Sequence, residues 1–399
     1  MRLLEHQCKR LLGKHGIPFS EPVIATTAAE AEAAFATING PAVMKAQVPF
    51  GGRGKAGAIR MIDSGQDARN NAADLLGKEL RGFLVSAISL EPKITFECEY
   101  YAGIAWDLRR RQPVAIFNRA GGVEVESEAS LAVKRAFDPR TPLTPFQGRE
   151  LAEEGGLTGK ELVLVGSLIA ALSKAFLELD AITLEINPLV VTSEGKLLCL
   201  DAHVELDDDA AYRLKGALQD LGEIPTTSGG RTPTPIEEEA ARIDARDHRG
   251  VAGRVVEFPG DLALLIGGGG ASLTVFDAVL RHGGKPANYC EIGGNPTAEK
   301  VAALTELLLS KPGVSQLAVI MNVVNNTRAD VMAQGVIDGI RAAGKKPSEV
   351  LSVFRIPGSW EEEAVALLAA NGVTALGREI SLDAAASLAV KQSLAHASC

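Results

Sequence analysis

Four stretches of the chain carry residue types and spacings that could do chemistry. Lys45 leads into Pro49-Phe50-Gly51-Gly52-Arg53-Gly54-Lys55-Ala56-Gly57. Glycines let backbone N–H groups approach phosphate oxygens, and Lys45, Arg53 and Lys55 add positive charge. The loop is not a Walker A sequence, because GxxxxGK[ST] is absent; the plainer reading is a flexible basic surface loop. The second stretch is Glu185-Ile186-Asn187-Pro188, with Asp201 following 14 residues after Asn187. If the two flanking runs form a hairpin, the Asn187 amide and the Asp201 carboxylate meet at one end. Such an oxygen pair suits Mg²⁺ alongside phosphates and waters, although Asn before Pro and Asp after a strand are also common turn residues. Glu91 and Glu99 flank a third, strand-like segment, where they could reach a ribose or base edge or be ordinary solvated charges. The fourth is Gly267-Gly268-Gly269-Gly270-Ala271-Ser272, between a buried run and a helical one. Gly293-Gly294-Asn295-Pro296-Thr297 and Asn322-Val323-Val324-Asn325-Asn326-Thr327-Arg328 occupy equivalent places. Three loops at the carboxyl ends of parallel strands fit a crevice for an anionic small molecule. Arg355, after the next strand, could add charge there.

The six histidines show no metal-ligand spacing, and neither a GxSxG elbow nor a Cys/His nucleophile pair occurs. His282, before Gly283, reads as a helix C-terminal residue. With 399 residues, 46% apolar and 23% charged, the chain has room for two or three globular domains. The formal charge of −9 argues against broad nucleic-acid binding. No run approaches the ~20 apolar residues of a membrane span. Five scattered cysteines without CxxC spacing fit a reducing cytosol, and the opening residues lack a signal-peptide pattern. The expected location is therefore cytoplasmic.

Elements must position these residues. Leu3, Leu4, Cys8, Leu11 and Leu12 predict an opening helix. Thr27-Ala28-Ala29-Glu30 predicts a capping-box start for a second, and a third is expected over about Gln66 to Leu80. Runs at 83–90, 97–105 and 113–117 predict an antiparallel sheet. A long helix is expected over 162–179, then strands at 181–187 and 196–200 joined by a turn at Ser193-Glu194-Gly195. The stretch 223–260, with four prolines and five glycines, reads as a linker holding one helical piece near 237–244. Beyond it, strands at 262–266, 287–290, 317–321, 350–354 and 373–376 alternate with helices, the pattern of a parallel, doubly wound sheet.

Taken in order, these residues resemble the β subunits of succinyl-CoA synthetase and their relatives, the malate–CoA ligase β subunits and the ATP-binding part of ATP-citrate lyase. The resemblance runs over nearly the whole chain. It is carried by Leu4-Glu5-His6-Gln7 with Lys9, Lys45 to Gly57, Gly121-Gly122-Val123-Glu124, Glu185 to Leu189, Asp201 and Gly283-Gly284-Lys285-Pro286-Ala287-Asn288. It implies an α/β chain with an ATP-grasp domain over 1–222, the linker, and a flavodoxin-like CoA-ligase domain over 261–399.

The resemblance further implies that Lys45, Gly52, Arg53 and Gly54 hold nucleotide phosphates. Glu91 and Glu99 fall at nucleotide-contacting glutamates, Asn187 and Asp201 at Mg²⁺ ligands, and Glu185 at the glutamate that meets a phosphohistidine loop. An α subunit carrying that histidine and the CoA site is the implied partner, in an αβ or α2β2 assembly, with ATP (or GTP) and CoA as substrates. Departures lie in the substrate half. Gly267 stands for an Asn, Asn325-Asn326-Thr327 replaces a Gly-Gly-Ile-Val type loop, and Pro49 stands for a histidine. The implied substrate is accordingly a small di- or tricarboxylate, or an unusual carboxylic acid, rather than succinate itself. Activation of a carboxylate for another acceptor and a non-catalytic nucleotide-binding subunit are the alternatives.

Overall fold

The computed structural model describes residues 1–122, 129–222, 233–252 and 254–397. Val123 and Glu124, which contribute to the resemblance above, lie outside them, as does 223–232. The chain divides into two units, Met1–Thr232 and Pro233–Cys399.

The first unit is built on two antiparallel sheets. One has the spatial order Val23–Ala25, Ile88–Pro92, Ala42–Ala46, Ile59–Ile62. Helices Ala28–Ile38 and Gly65–Leu75 bury Ala31, Ala34, Ala68, Ala72 and Leu75 in the same core. Thr27 caps the first of these by accepting from Glu30 N. The Glu30 carboxylate, however, takes the Thr26 N–H and hydroxyl rather than returning to Thr27. The helix expected to reach Leu80 ends at Leu75, because Leu76 is extended and Gly77 has φ of 79°. A short ladder, Glu79–Leu80 with Phe83–Leu84, follows. The single strand expected over 83–90 is thus two, with Ile88–Pro92 in this four-stranded sheet and not in the sheet of the 97–105 and 113–117 runs.

The other sheet has the order Leu197–Cys199, Ala181–Thr192, Phe96–Asp107, Gln112–Asn118, Val133–Ala136, and Ala202–Leu206 also pairs with Ala181–Thr192. Helices Pro145–Glu154 and Gly159–Glu178 cover one face, burying Leu151, Val165, Leu168, Leu172 and Phe176. The opening helix Glu5–Gly13 drives Cys8, Leu11 and Leu12 into this core, while Leu3 N–H is tied to the Val204 carbonyl at 3.1 Å.

In the second unit, Leu262–Gly267, Gln316–Met321 and Leu351–Arg355 form a parallel sheet in that order. Every residue of the three strands is buried, as helices on both faces require. Ala298–Ser310 and Ala329–Ala342 pack on one face; Gly270–Arg281 and Leu382–Ala397 pack on the other. The second expected strand, observed as Asn288–Cys290, pairs with Val255–Glu257 and touches Leu262–Gly267 through flanking bridges. The fifth, at 373–376, is not a strand; Leu376 N–H makes one bond to the Phe354 carbonyl at 2.8 Å. Within 223–260, the helix Pro235–Ala245 starts with a Thr234/Glu237 capping box and buries Ala240 and Ile243 in this unit. Among the described residues no helix is long and apolar enough to cross a membrane.

Candidate functional site

The glycine loop folds into successive turns at the end of Ala42–Ala46. Ala56 N–H bonds Gly52 O at 3.3 Å, Gly57 N–H bonds Gly54 O at 3.1 Å and Ala58 N–H bonds Arg53 O at 2.9 Å. Gly52 (φ 70°) and Gly57 (φ 67°) supply the left-handed residues these turns need. The turns aim Arg53 inward. Its Nη1 lies 2.6 Å from Glu5 Oε2 and its Nη2 2.5 Å from Asp201 Oδ2. Lys45 Nζ lies 2.7 Å from Glu5 Oε1, 2.6 Å from the Leu200 carbonyl and 3.5 Å from Glu91 Oε1. Lys9 closes the array, 2.9 Å from Glu5 and 2.6 Å from Glu91.

Burial opposes the charges of Glu5, Lys45 and Arg53, and their mutual pairing outweighs it. Burial alone would push the Glu5 carboxyl up, yet Lys45, Arg53 and Lys9 together hold it well below the ordinary glutamate range. Burial likewise works against the charged Lys45 and Arg53, but their carboxylate partners keep both above their usual values. Glu91 is therefore an ion-pair partner in this arrangement, 4% exposed, with both oxygens on Lys9.

The hairpin expectation needs one change. Asn187 is not at a strand end but inside Ala181–Thr192, which runs on past a cis Asn187–Pro188 peptide to the turn at Ser193-Glu194-Gly195. The facing strand is the interrupted one, since Leu200 and Asp201 separate Leu197–Cys199 from Ala202–Leu206. Asn187 N–H bonds the Asp201 carbonyl at 3.3 Å, and Leu200 N–H bonds the Pro188 carbonyl at 3.0 Å. The two irregularities face each other, so both side chains line one cleft of about 330 Å³ with Glu5, Arg53 and Glu185. The Asn187 amide is oriented by Gly122, whose N–H reaches Oδ1 at 2.6 Å while Nδ2 donates to its carbonyl at 3.1 Å. Gly122 (φ 73°) also passes so close to Glu99 that a Cβ would sit 2.1 Å from Oε1. Burial raises the Glu99 carboxyl above its ordinary value.

The donors fit Mg²⁺. An amide oxygen and a carboxylate share a cleft, and that carboxylate already faces a cation in the Arg53 guanidinium. Among the described residues no group of three or more His, Cys, Asp or Glu could hold a metal. A two-ligand site completed by phosphates and water is the usual Mg²⁺ solution.

Glu185 accepts from the Tyr101 hydroxyl at 2.8 Å. Gly103, its cross-strand neighbour, makes this possible, since a Cβ there would lie 2.6 Å from that hydroxyl oxygen. His203, across the other strand, joins Glu185 in lining the cleft, and burial lowers its imidazole below the ordinary value despite Glu185. Sequence reasoning missed Tyr101 and His203 as site residues. It also gave Glu5 and Lys9 no role, although their i, i+4 spacing was visible.

In the second unit Gly268, Asn325, Asn326 and Thr327 line a crevice of about 660 Å³ with Gly293 and Gly294. Thr327 accepts from Asn295 N–H at 3.3 Å and donates to Asn326 Oδ1 at 3.4 Å, fixing the loop. Gly267 is buried in its strand; a Cβ would lie 2.1 Å from the Ile292 carbonyl oxygen. Arg355 does not supply the expected charge, because its guanidinium is spent on the Met321 and Ile380 carbonyls, each at 2.6 Å. Arg254 lines the crevice instead.

Comparisons with known proteins place the whole in context. Residues 2–191 match the ATP-grasp domain family, and residues 231–371 match the ATP citrate lyase citrate-binding family. The ATP citrate lyase of Methanothrix soehngenii, solved with citrate and coenzyme A, shares the fold with a TM-score of 0.78 and 21% identity over 98% of this chain and 99% of that one. The β subunit of the ADP-forming succinate–CoA ligase of Chloroflexus aggregans is 35% identical over 93% of this chain and 94% of its own length. Its counterpart from Rubrobacter xylanophilus is 37% identical over 92% of each. With that identity sustained through both units, the chain belongs to the family of ADP-forming succinate–CoA ligase β subunits.

Proposed function

We propose that this chain is the nucleotide-binding subunit of an ADP-forming carboxylate–CoA ligase that works with an α subunit carrying a phosphorylated histidine and the CoA site. The single observation that carries this reading is the convergence of Arg53, Glu185, Asn187 and Asp201 on one cleft. Nucleotide chemistry belongs to residues 1–222 and carboxylate recognition to 261–399. Free Cys8, Cys98, Cys199 and Cys290 suit a reducing cytosol.

Lys45, Arg53 and the turns at Gly52 and Gly54 hold the phosphates of ATP or GTP, with Glu91 anchoring Lys9 and Lys45 behind them and Glu99 on the nucleotide side. Asn187 and Asp201 would hold Mg²⁺, which when bound neutralises charge on the phosphates. Glu185 accepts the N–H of the partner's imidazole, leaving the other ring nitrogen's lone pair free to attack phosphorus; Tyr101 fixes the carboxylate for that contact. The phosphoryl group then passes from histidine to a carboxylate oxygen, giving an acyl phosphate. Attack by the CoA thiolate releases phosphate and forms the thioester. Activation is needed because a carboxylate oxygen is otherwise a poor leaving group.

Gly268 and Asn325 to Thr327 offer side-chain and backbone donors to a small di- or tricarboxylate, while Gly267 sets the floor behind them. Restoring Asn by Gly267→Asn is expected to lower thermal stability and to give no gain in succinate turnover, because the new Cβ collides with the Ile292 carbonyl. Equal stability with increased succinate turnover would contradict this.

The test is a panel of carboxylic acids given to the chain with its α partner, ATP, Mg²⁺ and CoA, scored by loss of free thiol and release of ADP. Thiol loss should require both subunits and one class of acid. Acyl-CoA formation by this chain alone, or full ADP release and product formation with CoA omitted, would overturn the reading.

A further inference from the structure

The three buried cations at the cleft are already matched. Lys9, Lys45 and Arg53 face Glu5, Glu91 and Asp201, three positive charges against three negative. Lys55 and Arg81 also line the cleft, but for a phosphate to reach one of the three buried cations a pairing must open. The partners differ in how readily they can be exchanged. The Asp201 side chain is 24% exposed, against 1% for Glu5 and 5% for Glu91. Lys45 is anchored three ways, by Glu5, Glu91 and the Leu200 carbonyl. Arg53 is different: one edge of its fork rests on buried Glu5 and the other on half-buried Asp201.

We propose that Arg53 is a metal-coupled gate. Its Nη2 edge guards Asp201; when a divalent cation takes that carboxylate, the edge turns to a nucleotide phosphate oxygen, while Glu5 holds the Nη1 edge as the pivot. The inference rests on the assignment of Asp201 to the metal under the proposed function. A cation binding alone must displace a guanidinium, and a nucleotide binding alone must compete with Asp201 for Arg53. Each ligand removes the obstacle to the other, so their affinities rise together by a coupling on the order of tenfold.

The test uses the full chain and three variants, with Mn²⁺ alone followed by electron paramagnetic resonance and ADP by calorimetry with and without Mg²⁺. Arg53→Lys keeps the charge but cannot span both carboxylates. It is expected to bind Mn²⁺ alone roughly tenfold more tightly than wild type, with the coupling to ADP reduced toward one. Arg53→Gln should gain Mn²⁺ affinity similarly and lose ADP affinity. A simple phosphate contact predicts wild-type Mn²⁺ affinity in Arg53→Lys, and that result overturns the gate. Asp201→Asn should abolish Mn²⁺ binding. If it does so while Arg53→Lys behaves as wild type, the gate fails and the metal assignment stands; if Mn²⁺ binding survives Asp201→Asn, the metal assignment fails and takes the gate with it. In the wild-type chain, saturating Mg²⁺ without nucleotide should shift the Arg53 Nε–H resonance. An unmoved resonance overturns the gate whatever the variants do.

Discussion

Asp201→Asn, assayed as the complete complex, is expected to lower kcat on the order of 10²–10³-fold. The side chain keeps its size and can still accept from Arg53 Nη2, now 2.5 Å away, so the fold has little reason to change. What is lost is the carboxylate charge that would hold a divalent cation beside the Asn187 amide. Melting temperature should fall less than in a variant of buried Glu5, because the Asp201 side chain is 24% exposed and Arg53 keeps Glu5, while phosphoryl transfer collapses, as followed by phosphohistidine formation on the partner. An unchanged rate would favour a non-catalytic nucleotide-binding subunit.

Glu5→Gln should have the largest effect on stability. Its carboxylate, 1% exposed, meets Lys45, Lys9 and Arg53 at 2.7, 2.9 and 2.6 Å. Removing that charge leaves buried cations in excess, a loss on the order of 3–5 kcal/mol. For a unit of this size the melting temperature should fall by about 10 °C. Glu5 also gives the network its acid sensitivity. Its folded-state carboxyl is held below the ordinary value of 4.5, so its contribution is complete above about that pH. It is lost as pH falls through the folded-state value. Melting curves from pH 7 downward should show wild type losing stability below about pH 4.5, and Glu5→Gln, already weaker, losing less. Parallel curves for the two proteins would argue against this role.

The sequence was most legible where local chemistry and function coincide. Glycines at 51, 52, 54 and 57 can be read as a loop because their backbone freedom is a local property, and Gly52 and Gly57 do adopt positive φ. The alternation of apolar runs and helical periods from Leu262 onward likewise described the parallel sheet, since burial on both faces leaves its mark within each strand. Glu5 and Lys9 were opaque for the opposite reason. An i, i+4 Glu–Lys pair ordinarily decorates a solvent-facing helix; here it is buried because Glu91 and Lys45 arrive from another sheet. Tyr101 and His203 flank Glu185 only through strand register, which no single stretch specifies. The helix Pro145–Glu154 did announce itself through the Thr144/Gln147 capping box, a signal passed over because the segment lacks a strong apolar period. Arg355 misled because position after a strand says nothing of which carbonyls a guanidinium will satisfy.

The opening helix has a consequence for how the protein is made. Leu3 is hydrogen-bonded to Val204, and the Gln7 side chain donates to the Leu221 carbonyl, 214 residues further along. At chain growth of 5–20 residues per second, the helix emerges from the ribosome roughly 10–40 s before those partners exist. Until then the core that takes Cys8, Leu11 and Leu12 lacks Ala202, Val204 and Leu206, so the nascent chain must either be shielded or risk premature association.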